Sequence, residues 1–265
     1  MSIAVQTIPP ILATGLRFCV SAPLIIALAL YQKQPLLFPV GKRKWMLIIA
    51  LFYFAIPFSL MIYGEKYISS GLAAIIFATM PIGVMITSSL FLGSRLKPIQ
   101  IFGLAIAVIS LCSILISELD INGSSYLIGT VALAGAVVLH SLMYVKVKKY
   151  CADVEVLTYN ALPCAIASVV LLGVSILSEH PQLANISIES LLAVIYLGLV
   201  AGVGGIVAYF KLNAIATPFT ASICFLIFPI VALCLDDLVT GHLISTSSLF
   251  MLLPLLGGIL LTKSR

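Results

Sequence analysis

The chain has 265 residues, 62% of them hydrophobic and only 9% charged, with a mean hydropathy of +1.23 and a formal net charge of +5. These proportions exclude a soluble domain and define a polytopic, all-helical integral membrane protein. The basic excess does not mark a nucleic-acid partner, because the lysines and arginines fall in short connections between apolar runs rather than on one face.

In chain order, an uncharged lead, Met1 to Ile8, precedes a first apolar segment from Pro9 to Tyr31 that is interrupted by Arg17. That segment is too long for the core of a signal peptide, and no small-residue cleavage site follows it. Further spans are predicted at Trp45–Tyr63, Gly71–Gly93, Pro98–Ser117, Ser125–Val145, Val156–Ser178, Ile188–Phe210, Pro218–Leu235 and Thr246–Thr262. The expectation is nine transmembrane helices. Trp45, Tyr31 and Tyr63 at span ends read as interface anchors, and the glycines of Gly202-Val203-Gly204-Gly205 as close-packing residues inside a span.

Orientation follows from the connections. With Lys33, Lys42, Arg43 and Lys44 on the cytoplasmic side, strict alternation also places Arg95, Lys97, Lys146, Lys148, Lys149, Lys211, Lys263 and Arg265 there. Of the 14 basic residues only Arg17 and Lys66 are left out. The C-terminus is then cytoplasmic and the N-terminus of this chain is outside. The six cysteines have no CxxC or metal-ligand spacing and read as small apolar packing residues, so neither a metal nor a cofactor is expected.

The chain also carries an internal repeat. Laying Pro81 on Pro229 places Ala73 on Ala221, Ile75 on Ile223, Phe77 on Phe225, Ile82 on Ile230 and Gly93 on Gly241. Residues 1–120 then form a first unit of four helices and 121–265 a second of five. An odd number of crossings per unit inserts the second copy upside down, giving a tandem inverted-topology repeat.

Against that background the sequence resembles the drug/metabolite transporter superfamily, and within it the EamA-like ten-helix transporters. The resemblance rests on Pro9-Pro10 followed by Arg17-Phe18, on Ser70-Gly71-x-Ala73-Ala74, on Pro81, and on Gly93-x-Arg95-Leu96-x-x-x-Gln100-x-x-Gly103. Two departures stand out: Ser94 and His242 occupy positions where the family usually has a glutamate, and the span that usually precedes the Pro-Pro stretch is absent from this chain. The resemblance implies a carrier in the inner (plasma) membrane that exports small metabolites, such as amino acids, or amphiphiles. It would work by alternating access at a midplane site between the repeats. The implied partners are a small-molecule substrate and the lipid bilayer, with a homodimer as a candidate assembly.

Candidate site residues follow from what the spans contain. Pro81 and Pro229 each remove a backbone hydrogen bond and free the carbonyl four residues earlier, at Phe77 and Phe225, so a symmetric pair of kinks can flank a cavity. Arg17 lies about eight residues inside its span, roughly 12 Å from the outer end. It needs water, a carboxylate or an anionic ligand, with Glu65, Asp236 and Asp237 at the same face; outward snorkelling is the structural alternative. His140 and Tyr144 lie one helical turn apart with Asn160 at comparable depth, a polar patch in which His140 could titrate. Tyr53, Tyr209, Phe77 and Phe225 are aromatic linings, and Thr79 sits two residues before Pro81.

Two rival classes are weaker. No Gly-x-Ser-x-Gly, no His-Glu-x-x-His and no pair of mid-span aspartates is present to make an intramembrane enzyme. A non-transporting scaffold or fragment has in its favour only the absent first helix.

Overall fold

Apolar runs of 20 or so residues have one way to satisfy their backbone in hydrocarbon, which is to hydrogen-bond within a helix. The computed structural model describes residues 3–93, 97–117, 124–182, 185–217, 221, 223–226 and 245–261, and among them there is helix and no strand. The helices are α1 (Pro10–Tyr31), α2 (Val40–Gly64), α3 (Ser70–Phe77), α4 (Met80–Leu92), α5 (Pro98–Ser117), α6 (Ser124–Tyr150), α7 (Thr158–Ser178), α8 (Ile188–Ile215) and α9 (Thr246–Leu261), with a 3-10 turn at Ile223–Leu226. Six segments are long and apolar enough to cross a membrane: α1, α2, α3 with α4 as Ser70–Leu92, α6, α7 and α8; Pro98–Ile114 and Leu249–Leu261 are shorter apolar helices. Most of the expected span Pro218–Leu235, and the family positions Ser94 and His242, lie outside the described residues.

The described chain forms two compact units, Met1–Lys66 with Lys146–Ala216, and Tyr67–Val145 with Thr217–Arg265. In the first unit α1 packs along α7, and the contacts fix an antiparallel register. The Glu179 carboxylate accepts the N–H groups of Ile11 and Leu12, both at 2.9 Å, and the Ser175 hydroxyl at 2.7 Å. Deeper in the pair, Ser168 donates to the Gly15 carbonyl at 2.9 Å, and Cys164 lies against that of Phe18. Glu179 thus closes the N-terminus of a neighbouring helix, where two donors have no partner within their own turn and the helix dipole favours a negative charge.

Helix α2 is interrupted by a π-helical segment at Ala50–Ala55, and α8 by a longer one at Leu197–Ile206. Pro57 accounts for the first: it has no N–H to offer the carbonyl of Tyr53, and a wider turn absorbs the ring. In the second, glycine supplies the room. A side chain at Gly198 would meet the Val20 side chain at 2.7 Å and the Arg17 carbonyl at 2.8 Å, and one at Gly202 would collide with Ser21, so α1 and α8 touch backbone to backbone here. Ser21 bridges the two with one hydroxyl, donating to Gly198 at 2.8 Å and Arg17 at 3.0 Å. Of the glycines singled out in the sequence, Gly202 does the packing, while Gly204 and Gly205 face open space.

At the other end of this unit Lys148 donates to the carbonyls of Asn213 at 2.9 Å and Ala214 at 2.5 Å, closing the C-terminus of α8. Lys42 pairs with Asp153, holding its carboxyl below the usual range, and Trp45 stacks on Tyr150 with ring centroids 5.0 Å apart. Helix α6 therefore continues through Lys146, Lys148 and Lys149 to Tyr150 rather than ending at Val145. The lysines reach outward from a helix end instead of marking a loop. The cysteines divide: Cys151 and Cys164 are buried packing residues, whereas Cys19 and Cys112 lie on exposed faces.

In the second unit the span around Pro81 is broken rather than bent. Helix α3 ends at Phe77, and Pro81 sits in the first turn of α4, where its missing N–H costs nothing. The turn between them is closed by the Thr79 N–H and hydroxyl, both donating to Ile76 O, at 3.1 and 2.6 Å. Gly93, at φ +69°, ends α4 in the left-handed conformation that a Cβ disfavours. Helices α5 and α9 pack together within the same unit.

Replacing Gly202 with valine forces a side chain into Ser21, and overpacking of this kind costs about 1–3 kcal/mol. A fall in the melting temperature of the purified protein is expected for Gly202→Val and no change for Gly204→Ala; equal behaviour of the two would show that α1 and α8 do not meet as described.

Candidate functional site

The second unit gathers four of the residues singled out from sequence into one stack. His140 and Tyr144, one turn apart on α6, lie nearly parallel at 5.9 Å and 16°. The ring of Phe77, at the end of α3, lies 6.3 Å from His140 and is tilted to it at 59°, and that of Phe225, in the 3-10 turn, lies 6.3 Å from Tyr144 at 19°. All four are buried, between 3% and 7% exposed. The break before Pro81 ends α3 at Phe77, so the proline positions that ring. Thr79 is half-buried and tied to Ile76, and Pro81 is buried at the start of α4. Pro229, four residues beyond Phe225, lies outside the described residues.

Stacking of Tyr144 on His140 and Phe225, and the tilted approach of Phe77 to His140, are favourable because ring edges are electropositive and faces electronegative. The stack is anchored by the packing of α4 on α6. Thr87 and Met80 of α4 meet Ser141, whose backbone carbonyl accepts from the Thr87 hydroxyl at 3.3 Å and whose own hydroxyl donates to Met80 Sδ at 3.2 Å.

Three other candidates lie in the first unit with Asn160. Arg17 does not snorkel: it is 2% exposed, and its guanidinium carbon sits 4.6 Å from the centre of the Phe58 ring and 5.7 Å from that of Phe18. Its Nε and Nη1 atoms find no hydrogen-bond acceptor among the described residues. No described carboxylate hydrogen-bonds these two atoms, although Glu65 acts on the guanidinium electrostatically, and Asp236 and Asp237 lie outside the described residues. Tyr53, in the π-helical segment of α2, meets Phe54 at 4.8 Å and Phe210 at 4.7 Å, and Tyr209 meets Phe210 at 6.3 Å, all edge to face. Asn160 is fully buried and donates to Val156 within its own stretch of chain at 2.7 Å. Of the expected polar patch, the structure joins His140 to Tyr144, while Asn160 belongs to the other unit.

Sequence reasoning missed Phe54, Phe58 and Phe210 as the rings that tie the first unit together. The spacing of Phe54 and Phe58, one turn apart, was the available signal. It also missed Glu179 as a cap, although an acid at the end of an apolar helix has few other uses.

Comparison with known proteins assigns the fold to a family. Residues 1–116 and 127–264 match the EamA-like transporter family, and the chain belongs to it. It is 49% identical over 262 residues to Protein PagO of Salmonella typhimurium strain LT2, covering 99% of this chain and 86% of that protein. An uncharacterized transporter of Buchnera aphidicola subsp. Schizaphis graminum is 42% identical over 262 residues, covering 99% and 87%. The inner membrane transporter YedA of Escherichia coli strain K12 is 28% identical over 251 residues, covering 92% and 78%. A solved crystal structure 18% identical in sequence superposes with a TM-score of 0.74 over 97% of this chain and 88% of its own, a likeness of fold. The protein is a multi-pass membrane transporter.

Phe77 and Phe225 close the two ends of one stack, so their truncation should have matching effects. Each change to leucine is expected to lower stability by about 1 kcal/mol, the worth of one aromatic pair beyond its area. The double variant should show the sum in thermal unfolding, because among the described ring contacts Phe77 meets His140 and Phe225 meets Tyr144. A large effect at one position and none at the other would contradict the stack.

Proposed function

We propose that this transporter moves a small metabolite, an amino acid or related compound, by alternating access at a midplane site between two inverted repeats, residues 1–120 and 121–265, and that its direction is export. The observation that carries the reading is the stack itself. Phe77 and Phe225 are equivalent positions in the repeat register, and they bracket the His140–Tyr144 pair from its two ends. A pseudo-two-fold axis through a binding site places equivalent side chains in this relation.

The helix bounds support the repeat. The register that lays Pro81 on Pro229 lays α1 on α7 to within one residue at each end, and it lays the starts of α2 and α5 on those of α8 and α9. It also carries the π-helical segment Ala50–Ala55 into Leu197–Ile206. The packing follows the same exchange: α1 lies antiparallel to its counterpart α7 and touches the π-helical segment of α8, while α7 touches that of α2. Parallel repeats would have placed α1 and α7 in the same direction.

In this reading the broken span α3–α4 and the π-helical segments are the compliant points about which each half rocks, since they are where the regular hydrogen-bond ladder is already interrupted. The basic connections favour a cytoplasmic C-terminus and an outer N-terminus for this chain. The residues proposed to meet substrate are Phe77, Thr79, Pro81, His140, Tyr144, Phe225, Pro229, Arg17, Tyr53, Asn160 and Tyr209.

Counterflow into proteoliposomes, screened over amino acids, amines and nucleobases, tests the proposal. At least one solute is expected to exchange. Pro81→Ala, which allows α3 and α4 to fuse, should slow that exchange roughly tenfold, equivalent to about 1.4 kcal/mol on the barrier, without loss of folded protein. Folded protein that exchanges none of these solutes would count against a carrier, and an unchanged rate in Pro81→Ala against the hinge.

A further inference from the structure

Arg17 is a cation in the middle of an apolar unit, and what surrounds it identifies what it is for. The side chain is 2% exposed, so its charge is not delivered to water or lipid headgroups, and two of its three nitrogens have no acceptor among the described residues. The rings of Phe58 and Phe18 compensate part of the charge, with the guanidinium carbon 4.6 Å and 5.7 Å from their centres. A cation–π contact engages the flat face of the guanidinium and leaves its in-plane N–H edge available. That edge is the one a carboxylate meets in a two-point, charge-assisted pair.

The fold does not call for the charge. In the repeat register Arg17 falls on Ala165, half-buried on α7, so the counterpart helix packs without a cation at the equivalent place. The contacts that hold α1 in position come from its neighbours instead: Gly15 and Phe18 against α7, and Ser21 against α8.

We propose that Arg17 is an anion-recognition residue and that the substrate carries a single carboxylate on an apolar or aromatic body. The proposal rests on the carrier reading above and names the chemical class of its substrate. Tyr53, Cys164 and the Glu65 carboxylate already act on the guanidinium electrostatically; a monocarboxylate adds one negative charge beside it, whereas a phosphate monoester would add a second and an amine would be repelled. Phe58 holds its ring over the guanidinium. It follows Pro57 and the π-helical segment, so the backbone that carries it is the part of α2 best able to yield when a ligand enters.

Thermal unfolding of the purified full chain tests this, with benzoate and hexanoate as probes and benzamide, phenethylamine and inorganic phosphate as controls. The two carboxylates should raise the melting temperature with concentration, and the controls should not. Arg17→Gln should weaken carboxylate binding by at least about tenfold, the worth of a charge-assisted pair, and Arg17→Lys should recover part of it. Should Arg17→Gln fail to fold, Phe58→Leu, which keeps the charge, is expected to weaken binding of the acids severalfold. Equal responses to benzoate and benzamide, no response to either acid, or full binding in Phe58→Leu and Arg17→Gln alike would overturn the proposal. Counterflow of a neutral or cationic solute untouched by Arg17→Gln would remove this inference and leave the carrier; carboxylate binding without exchange of any solute would keep the anion site and remove the carrier.

Discussion

Hydrocarbon offers no hydrogen bonds, and the rest of this structure answers to that constraint. A helix satisfies its own interior, but its first N–H groups and last carbonyls remain, and each must find a partner from another part of the chain. The first unit supplies them from side chains. Glu179 takes the free N–H groups of α1, Lys148 the last carbonyls of α8, and Ser21 joins α1 to the Gly198 carbonyl inside an interrupted stretch of α8. These contacts are also what set the register of the helices, so the satisfaction of the backbone and the packing of the unit are one arrangement.

The same constraint explains where the chain departs from regular helix. Interruptions occur at Ala50–Ala55, at Ala78–Thr79 and at Leu197–Ile206, and each has a local cause: Pro57, Pro81, and Gly198 and Gly202 against α1. Each interruption lies beside a residue of the candidate site. The first carries Tyr53 and leads into Phe58, the second fixes Phe77, and the third leads into Tyr209. Positions where the ladder is already broken are the least costly places for a transporter to bend, and side chains mounted there move when it does.

Much of this was legible in the amino-acid sequence, and what was not has a physical reason. Spans could be found because apolar length is the signal that a bilayer imposes. Phe77 could be paired with Phe225 through the repeat register, and His140 with Tyr144 through spacing of one turn, but nothing in the sequence joined the two pairs. The π-helical segments left none, since a span that is apolar all round has no phase by which an extra residue per turn would show. For the same reason nothing revealed which of the many aromatics would converge on Phe210. Helix α6 ran past its expected end because lysines were read as loop when they are helix-end groups reaching outward, one of them capping α8. The fate of Arg17 was open because a mid-span arginine can snorkel or turn inward, and only the placement of Phe58 decides it.

The account stands or falls on the antiparallel relation of the two halves. Its most direct test is the sidedness of the two equivalent helix starts, read by labelling single cysteines with a membrane-impermeant thiol reagent in a background with the native cysteines removed. Gln6 precedes α1 and Ala152 precedes α7, and both are exposed. Inverted repeats require Gln6→Cys to react in intact cells and Ala152→Cys to react only after permeabilisation. Reaction of both from the same side of the membrane would contradict the inverted repeat.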